Sequence, residues 1–299
     1  MKFRKVINKD IFFYREDIFN VAYKINIIFI FLLILIDNGK SYFQHIKYNF
    51  LYPIKKQEQS LLKIFIVAHK DFKNNRHNPV YNIVVDDKSQ LKNNYSNITI
   101  FYANEGKLYN MNRAYSEMSQ IDYIYQLYKK GTLSSKYIGF NHYRRYFNFT
   151  DNIPNIEDIF KHYDVILNQP AFIPEGIKKQ FCNFHICEKY DQILSIIKEL
   201  KPEYYKIALK NSRKKIIYFF NLFIMKKEDF FKYCEFMYDI LFEFDRRNNF
   251  KNDSDVLNYT KMYYNNTGNF YYQSRLQAFL SERIGNIFYN KHFKRKVSF

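Results

Sequence analysis

A histidine and two adjacent arginines follow a short apolar segment in the middle of the chain. In the sequence GFNHYRRYF, His142, Arg144 and Arg145 come directly after residues 137–140, which are a predicted strand. Guanidinium groups at the end of a buried strand are costly unless they meet anions, and their planar fork fits phosphate oxygens. The motif therefore predicts a diphosphate site. A surface cluster paired with acidic neighbours is the alternative, and it fits a single arginine better than the whole group.

A second polar pair follows the first predicted strand. His69 and Lys70 end the run LKIFIVAHK, and further short strands are predicted at 81–85 and 98–102. Apolar residues at helical spacing predict a helix over 109–128, which Gly131 ends. Strands that alternate with helices predict an α/β fold with a mostly parallel central sheet. Ligands of such sheets bind at the carboxyl ends of the strands, where His69, Lys70 and the arginines are expected.

The composition is that of a globular chain with a basic surface. Of 299 residues, 47% are hydrophobic and 25% charged, so wholesale disorder is excluded. The formal net charge of +18 favours polyanionic partners: nucleic acid, an anionic membrane or phosphorylated ligands. Because the basic residues are spread along the chain, most of them are expected to be solvated surface.

The cysteines predict neither a disulfide framework nor a zinc site. Cys182, Cys187 and Cys234 are few and odd in number, which fits a reducing cytoplasm. His185 lies between the first two, but no second Cys or His pair stands at ligand spacing. We expect Cys182 and Cys187 to be structural side chains.

The beginning of the chain predicts a separate segment. Residues 27–36 form an unbroken apolar run, IIFIFLLILI, with basic residues before it. It is too short for a confident membrane span, so we expect an interfacial helix or anchor on the cytoplasmic face of the inner membrane. A buried helix packed on the main domain is the alternative. The predicted division is an extension at 1–60 and an α/β domain at 61–299.

Other motifs supply acidic candidates. Asp86-Asp87 and Asp253-x-Asp255 are the rival metal ligands, and both lie in loop-like sequence. In a helix predicted over 275–288, Glu282 and Arg283 stand beside a buried face. Glu282 is interpreted either as the general base for an acceptor hydroxyl or, preferably, as the ion partner of Arg144 or Arg145, because an arginine cluster needs a carboxylate.

Several sequence blocks together resemble one family. The blocks run from about residue 63 to residue 290 and read KIFIVAHK, YNMNRAYSEMSQIDYIYQLYKKG, YIGFNHYRRYF, YFFNLFIMKKEDFFKYCEFMYDIL and RLQAFLSERIGNIF. In this order they resemble the bacterial DUF4422 family of glycosyltransferases, found among capsule and lipopolysaccharide biosynthesis proteins. The HYRRYF and NLFIMKK blocks are the specific signals. Residues 1–60 lie outside the resemblance.

The resemblance implies a GT-A-like fold that binds a nucleotide sugar. It implies a donor site that contains His69, Lys70, Asn112, Glu117, His142, Arg144, Arg145 and Asn221. Many GT-A enzymes carry an Asp-x-Asp metal motif where this chain has His-Tyr-Arg-Arg, so the cations are expected to neutralise the diphosphate without a metal cofactor. His185 and Arg283 are expected on the acceptor side, and Asp191 or Glu282 is expected to be the base.

The predicted function is transfer of a sugar from a nucleotide-diphosphate donor to a hydroxyl of a surface glycan that is lipid-linked as it grows. Its predicted partners are the nucleotide sugar, the glycan acceptor and the inner-membrane surface, without nucleic acid. Two other classes remain open. The charge and the many aromatic residues also fit a nucleic-acid-binding protein, although no such motif is present. An inactive membrane scaffold of the glycan machinery is the third reading, because no base is certain.

Overall fold

The computed structural model describes residues 58–299, except 75, 94, 96, 97, 148 and 150. The apolar run at 27–36 therefore lies outside the described residues, as does most of the predicted 1–60 extension. Within the described part of the chain, no helix is long and apolar enough to cross a membrane. The predicted division of the chain at residue 60 stays a prediction.

A seven-stranded sheet lies at the centre of the described residues, in the order β3-β2-β1-β4-β8-β5-β9. The strands are β1 Leu62–Val67, β2 Tyr81–Val85, β3 Thr99–Tyr102, β4 Tyr137–His142, β5 Val165–Leu167, β6 Ala171–Phe172, β7 Ile216–Ile217, β8 Phe223–Lys226 and β9 Lys296–Ser298. β6 and β7 form a separate antiparallel pair.

The sheet is mostly parallel, as predicted. β1 pairs in parallel with β2 and β4, and β2 pairs in parallel with β3. β8 runs antiparallel to both β4 and β5, while β5 and β9 are parallel. β1 and β4 are in register with Val67 opposite His142, so the polar residues that follow both strands emerge at the same edge.

Helices surround the sheet and bury its central strands. They are α1 Asn112–Tyr115, α2 Glu117–Lys129, α3 Ile156–His162, α4 Ile177–Phe184, α5 Cys187–Leu200, α6 Pro202–Ser212, α7 Lys227–Asn248, α8 Asp253–Tyr263, α9 Phe270–Gln273 and α10 Leu276–His292. The apolar residues of β1, β4 and β8 pack on α2, α7 and α10 in one hydrophobic core. The central strands therefore read as nearly continuous apolar runs, because both of their faces are covered.

The predicted helix over 109–128 is interrupted. A 3₁₀ turn, Tyr109–Met111, leads into α1, and Ser116 then adopts φ +48° and ψ −127° before α2 begins. The break changes the direction of the side chains, so that Asn112, Glu117 and Gln120 all line the same cleft. Gly131 ends the helical segment in a left-handed conformation, φ +75°, as the sequence indicated.

Residues 180–191 contain a disulfide that the cysteine count did not predict. The stretch covers the end of α4 and the start of α5. Cys182 and Cys187 are joined there, with Cα atoms 4.3 Å apart, so their structural role is that of a cross-link. The number of cysteines in a sequence does not show that two of them meet where one helix ends and the next begins. Cys234 is unpaired and buried in the core on α7.

Candidate active site

A cleft of about 750 Å³ opens where β1, β2 and β4 end. Its walls come from these strand ends, from α1 and α2, and from the segment around α9. The lining residues are Val67, Ala68, His69, Asp86, Asp87, Gln90, Tyr109, Asn112, Arg113, Ser116, Glu117, Gln120, His142, Asp253, Asn269, Tyr271, Tyr272 and Arg275. The cleft therefore lies at the carboxyl edge of the parallel strands, where ligands of α/β folds bind.

The predicted arginines stand beside this cleft and are exposed. A tight turn after β4 holds them: the Arg145 N–H donates to the His142 carbonyl, and the Arg144 N–H donates to His142 Nδ1 at 3.1 Å. The Arg145 guanidinium stacks on Phe220 at 3.9 Å, and that of Arg144 lies 5.0 Å from the Tyr143 ring. Among the residues that the structure describes, neither arginine forms an ion pair.

Two further arginines, which the sequence motifs did not indicate, border the cleft. Arg275 Nε donates to Ser116 Oγ at 2.9 Å, so it is tied to the break between α1 and α2. Arg113 stacks on Tyr271 at 3.7 Å. Arg275 opens the RLQAFLSERIGNIF block, and this position was the only sequence signal for it.

Two histidines report the positive electrostatic potential of the site. Burial of the His142 ring, with the charges of Arg144 and Arg145, lowers the pKa of His142 to about 3. The pKa of His69 is lowered by partial burial and by the positive charges of Arg144, Arg275 and Lys70. Its Nε2 lies 3.3 Å from the Tyr143 hydroxyl. Both imidazoles are therefore neutral at pH 7, and both can accept or donate a hydrogen bond. Lys70 is exposed next to His69 and adds charge without lining the cleft.

Asn221 is a buried amide at the base of the site. Phe220 and Asn221 both adopt left-handed backbone, with φ of +73° and +50°, directly before β8. Asn221 Nδ2 donates to Glu117 Oε1 at 3.0 Å and to Ser281 Oγ at 3.1 Å. Backbone strain of this kind costs on the order of 1–3 kcal/mol per residue and persists where the surroundings impose it. In this backbone conformation the Phe220 ring lies against the Arg145 guanidinium, and the Asn221 amide lies against Glu117.

Glu117 is one of the carboxyl groups that line the cleft, and its pKa is strongly shifted. Burial of the group, together with the negative charge of Glu282, raises the pKa of Glu117 to about 7. It starts α2 and is fixed by the Asn221 amide. A carboxyl that titrates near neutral pH in a cleft can exchange a proton with a substrate hydroxyl. The family resemblance implied a place for Glu117 in the donor site and did not indicate it as a candidate base.

Glu282 forms an ion pair, but not with the predicted partner. Its Oε2 accepts from Arg283 Nη1 at 2.7 Å, and its Oε1 accepts from the Phe220 N–H at 3.0 Å. Arg283 is 3% exposed and also donates to Gln180 and to the Phe279 carbonyl. The Glu282–Arg283 pair therefore lies behind the site and fixes the strained segment at Phe220. The interpretation of Glu282 as the partner of Arg144 or Arg145 is wrong.

The rival metal ligands are already bonded within the protein. Asp86 accepts from Gln120 Nε2 at 2.8 Å, and Asp253 accepts the N–H groups of Arg113 and Ala114 at 2.9 and 2.8 Å. Asp255 forms a capping box with Asn252 at the start of α8. Asp253 and Asp255 thus begin a helix, not the loop that was predicted. In the described ranges, no group of three or more His, Cys, Asp or Glu side chains is arranged to hold a metal.

The predicted acceptor-side residues separate into two places. His185 lies one layer behind the cleft: Nδ1 is 3.0 Å from Gln273 Oε1, the ring stacks on Phe279, and burial lowers the pKa of His185 to about 4. Asp191 is exposed on α5, where it pairs with Lys178 in a different cavity. The structure does not bring Asp191 to the cleft, so it does not support Asp191 as the base.

The comparisons agree with this architecture. The apo structure of the bifunctional glycosyltransferase WbbM has a similar fold, with a TM-score of 0.52 and 17% sequence identity. The similarity covers 80% of this chain and 45% of that one, so the chain spans less than half the length of that structure. No match was found among the curated proteins.

The fold is thus that of a glycosyltransferase structure, an α/β architecture with its cleft at the parallel strand ends. The family model described as "Domain of unknown function (DUF4422)" matches residues 63–294. The chain therefore belongs to the DUF4422 family, which confirms the resemblance inferred from the sequence blocks.

Proposed function

We propose that the protein is a GT-A-type glycosyltransferase that moves a sugar from a nucleotide-diphosphate donor to a hydroxyl group of a surface glycan. One observation carries the proposal. A single cleft at the ends of β1, β2 and β4 brings together arginine side chains that form no ion pair among the described residues and a carboxyl group, Glu117, whose pKa is near 7.

The cations are suited to the leaving group. When the bond between the anomeric carbon and the phosphate oxygen breaks, its electron pair leaves with the nucleoside diphosphate. Preorganised positive charge stabilises that developing negative charge. Arg144, Arg145 and Arg275 supply it from two directions, and His142 can donate a neutral hydrogen bond beside them. This assignment makes the transfer independent of a divalent metal.

The carboxylate is suited to the acceptor. The acceptor hydroxyl oxygen forms a new bond to the anomeric carbon and must lose its proton as the bond forms. In the proposed step, the Glu117 carboxylate takes that proton and becomes a neutral carboxyl group. Its pKa of about 7 is close to the pH at which the protein would work, which is the condition for an efficient base. Asn221 holds the carboxylate in place.

The acceptor and location follow from the sequence arguments. We include in the proposal a capsule, lipopolysaccharide or O-antigen type of glycan, carried on a lipid, and attachment to the cytoplasmic face of the inner membrane through residues 1–60. Deletion of residues 1–60 should then release the protein from inner-membrane pellets. Full-length protein that stays wholly soluble at low salt without detergent would contradict this part.

The test of the function is a screen of nucleotide sugars. A donor that binds only the folded state raises the melting temperature, and the stabilisation grows with the logarithm of its concentration over Kd. We expect one class of nucleotide sugar to stabilise the protein, and we expect slow release of free nucleoside diphosphate from that compound. Substitution of both Arg144 and Arg275 by Gln should abolish the stabilisation. No stabilisation and no hydrolysis with any nucleotide sugar would contradict the proposal and favour the inactive-scaffold reading.

A further inference from the structure

Two tyrosines at the mouth of the cleft remain without a role in the proposed reaction. Tyr271 and Tyr272 both line the cleft, yet they are 55% and 44% exposed. Large exposed aromatic rings that border a binding cleft are unusual for a surface that only meets water. They lie on α9, directly before Arg275 and α10.

Each ring has a residue packed against it from the protein side. The Arg113 guanidinium lies 3.7 Å from the centre of the Tyr271 ring. The Tyr272 ring packs on Phe279 at 5.0 Å, and Phe279 is in turn stacked on His185 at 4.1 Å. About half of each tyrosine remains exposed, which is what a ring with one covered face and one open face shows.

The short segment that carries the rings is fixed on both sides. Gln273 Nε2 donates to the Phe184 carbonyl at 2.8 Å, and Gln273 Oε1 lies 3.0 Å from His185 Nδ1. The Asn269 side chain accepts from the Tyr272 N–H, and Ser274 Oγ donates to the Tyr271 carbonyl. The rings are therefore held before any ligand arrives, so little side-chain entropy would be lost on binding.

The chemistry of this surface fits a sugar ring. A pyranose has a face of C–H groups, which neighbouring oxygens make slightly positive, and the face of a tyrosine ring is slightly negative. Hydroxyl groups at the sugar edge need hydrogen-bonding partners, and the tyrosine hydroxyls and the polar Asn269 border the surface. A lipid chain would instead favour a wall without these polar groups.

The position of Tyr271 and Tyr272 favours contact with the acceptor over contact with the nucleoside of the donor. The buried Asp86 and the half-buried Gln90, which are hydrogen-bonded to each other, close the other part of the cleft at the end of β2. Glu117 lies inside the cleft, and Tyr271 and Tyr272 form its exposed mouth. A molecule that enters after the donor would meet these rings first.

We propose that Tyr271 and Tyr272 form an acceptor subsite that stacks on a pyranose ring of the glycan. This inference rests on the proposed function, because it names the acceptor side of the same cleft. It assigns to α9 the role of holding the terminal sugar while its hydroxyl group reacts.

The experiment measures binding of simple sugars, without nucleotide, to the full-length protein. Methyl β-galactopyranoside and methyl α-glucopyranoside are the probes, and saturation-transfer NMR is the readout. At least one probe should show transfer, strongest at the C–H groups of one ring face. Tyr271→Ala and Tyr272→Ala should each weaken binding by about fivefold or more, since each removes an aromatic face. Tyr271→Phe and Tyr272→Phe should retain most of it.

Tyr205→Ala is the matched control, because Tyr205 lines a separate cavity. It should bind the probes as the unmodified protein does. Four results would overturn the inference. They are no transfer to either pyranoside, transfer that the alanine variants leave unchanged, binding of phosphatidylglycerol vesicles through the same tyrosines, or a tenfold loss of affinity for the nucleotide sugar in those variants. The last would assign the rings to the donor.

The outcome is separable from that of the proposed function. If nucleotide sugars stabilise the protein but neither pyranoside binds at the tyrosines, the subsite is wrong and the transferase proposal stands. If pyranosides bind there but no nucleotide sugar is recognised, the transferase proposal fails and the sugar-binding surface remains.

Discussion

The molecule has two groups of arginines close to one cleft, and they meet opposite environments. Arg283 is 3% exposed and lies against the Glu282 carboxylate, with a Gln180 oxygen and a backbone carbonyl as further acceptors. Arg144 and Arg145 are exposed, stack on aromatic rings and have no ion pair among the described residues. The protein supplies a counter-ion to Arg283 and, among the described residues, none to Arg144 or Arg145.

This difference separates a structural arginine from one that is available to a ligand. A buried guanidinium must be neutralised by the protein itself, because its loss of hydration is not otherwise compensated. An exposed guanidinium on a fixed turn keeps its hydration until an anion replaces the water. Substitutions in the two groups should therefore affect different measurements, stability for one and turnover for the other.

The largest effect is expected at Arg283. Arg283→Met leaves the Glu282 carboxylate partly buried without its partner, which should lower the free energy of unfolding by roughly 3–5 kcal/mol. Chemical denaturation measures it. Arg246→Met is the control, because Arg246 pairs with Glu243 at the surface, where ion pairs contribute little to stability. If the two variants unfold alike, Arg283 is not the structural member of the comparison.

A loss of turnover is expected at the exposed pair. Arg144→Lys and Arg145→Lys keep the charge and lose the planar fork, so turnover with the donor should fall by roughly 10²-fold in at least one of them. The melting temperature should stay unchanged. Arg246→Lys serves as the matched control, and normal turnover in both cleft variants would remove the arginine motif from the mechanism.

The pH dependence of turnover should reveal Glu117. Because its folded pKa is raised to about 7, the carboxylate is formed only as the pH rises through that value, and turnover should rise with it. Glu117→Gln should remove this rise together with most of the activity. A flat profile between pH 6 and pH 8 would exclude Glu117 as the base.

Stability offers an independent check on the same carboxyl group. A raised pKa means that the folded state binds the proton more tightly than the unfolded state does, so the fold loses stability as the pH rises from the unfolded pKa to about 7, and the loss is complete above that pH. Glu117→Gln should therefore raise the melting temperature at pH 8, and the difference should vanish as the pH falls to about 4.3, the unfolded value. A variant that is less stable at pH 8 would contradict the assigned shift.

The smallest expected effect is that of metal removal. If the arginines neutralise the diphosphate, turnover should be unchanged in excess chelator. The same sample is then assayed after addition of manganese or magnesium. Complete loss with chelator, restored by either ion, would show that the cationic side chains are insufficient and would redirect attention to Asp86 and Asp253.

The features that depend on neighbouring residues in sequence were predictable. β1, β2 and β4 read as apolar runs, and the polar residues after them lie at the expected edge because parallel strands share a direction. His69, His142, Asn112 and Glu117 are accordingly brought to one cleft.

The features that depend on distant partners were not predictable. Glu282 was assigned to Arg144 or Arg145, but it pairs with its own neighbour Arg283, and which carboxylate reaches which guanidinium depends on packing across α10. Asp191 was a candidate base because it is a polar residue in a stretch expected near the acceptor. It lies on α5 and lines a different cavity. The raised pKa of Glu117 requires burial and a second carboxylate, neither of which a single sequence shows.

Ser116 illustrates how a protein can be prevented from becoming more stable. Its backbone, φ +48° and ψ −127°, is one that glycine adopts at far lower cost, so Ser116→Gly would relieve strain. The same change would delete the hydroxyl group that accepts a hydrogen bond from Arg275 Nε. A lineage selected only for thermal endurance should drift to glycine here, whereas one selected for an arginine fixed beside the cleft should retain serine. This single position would thus record which of the two pressures acted on the chain.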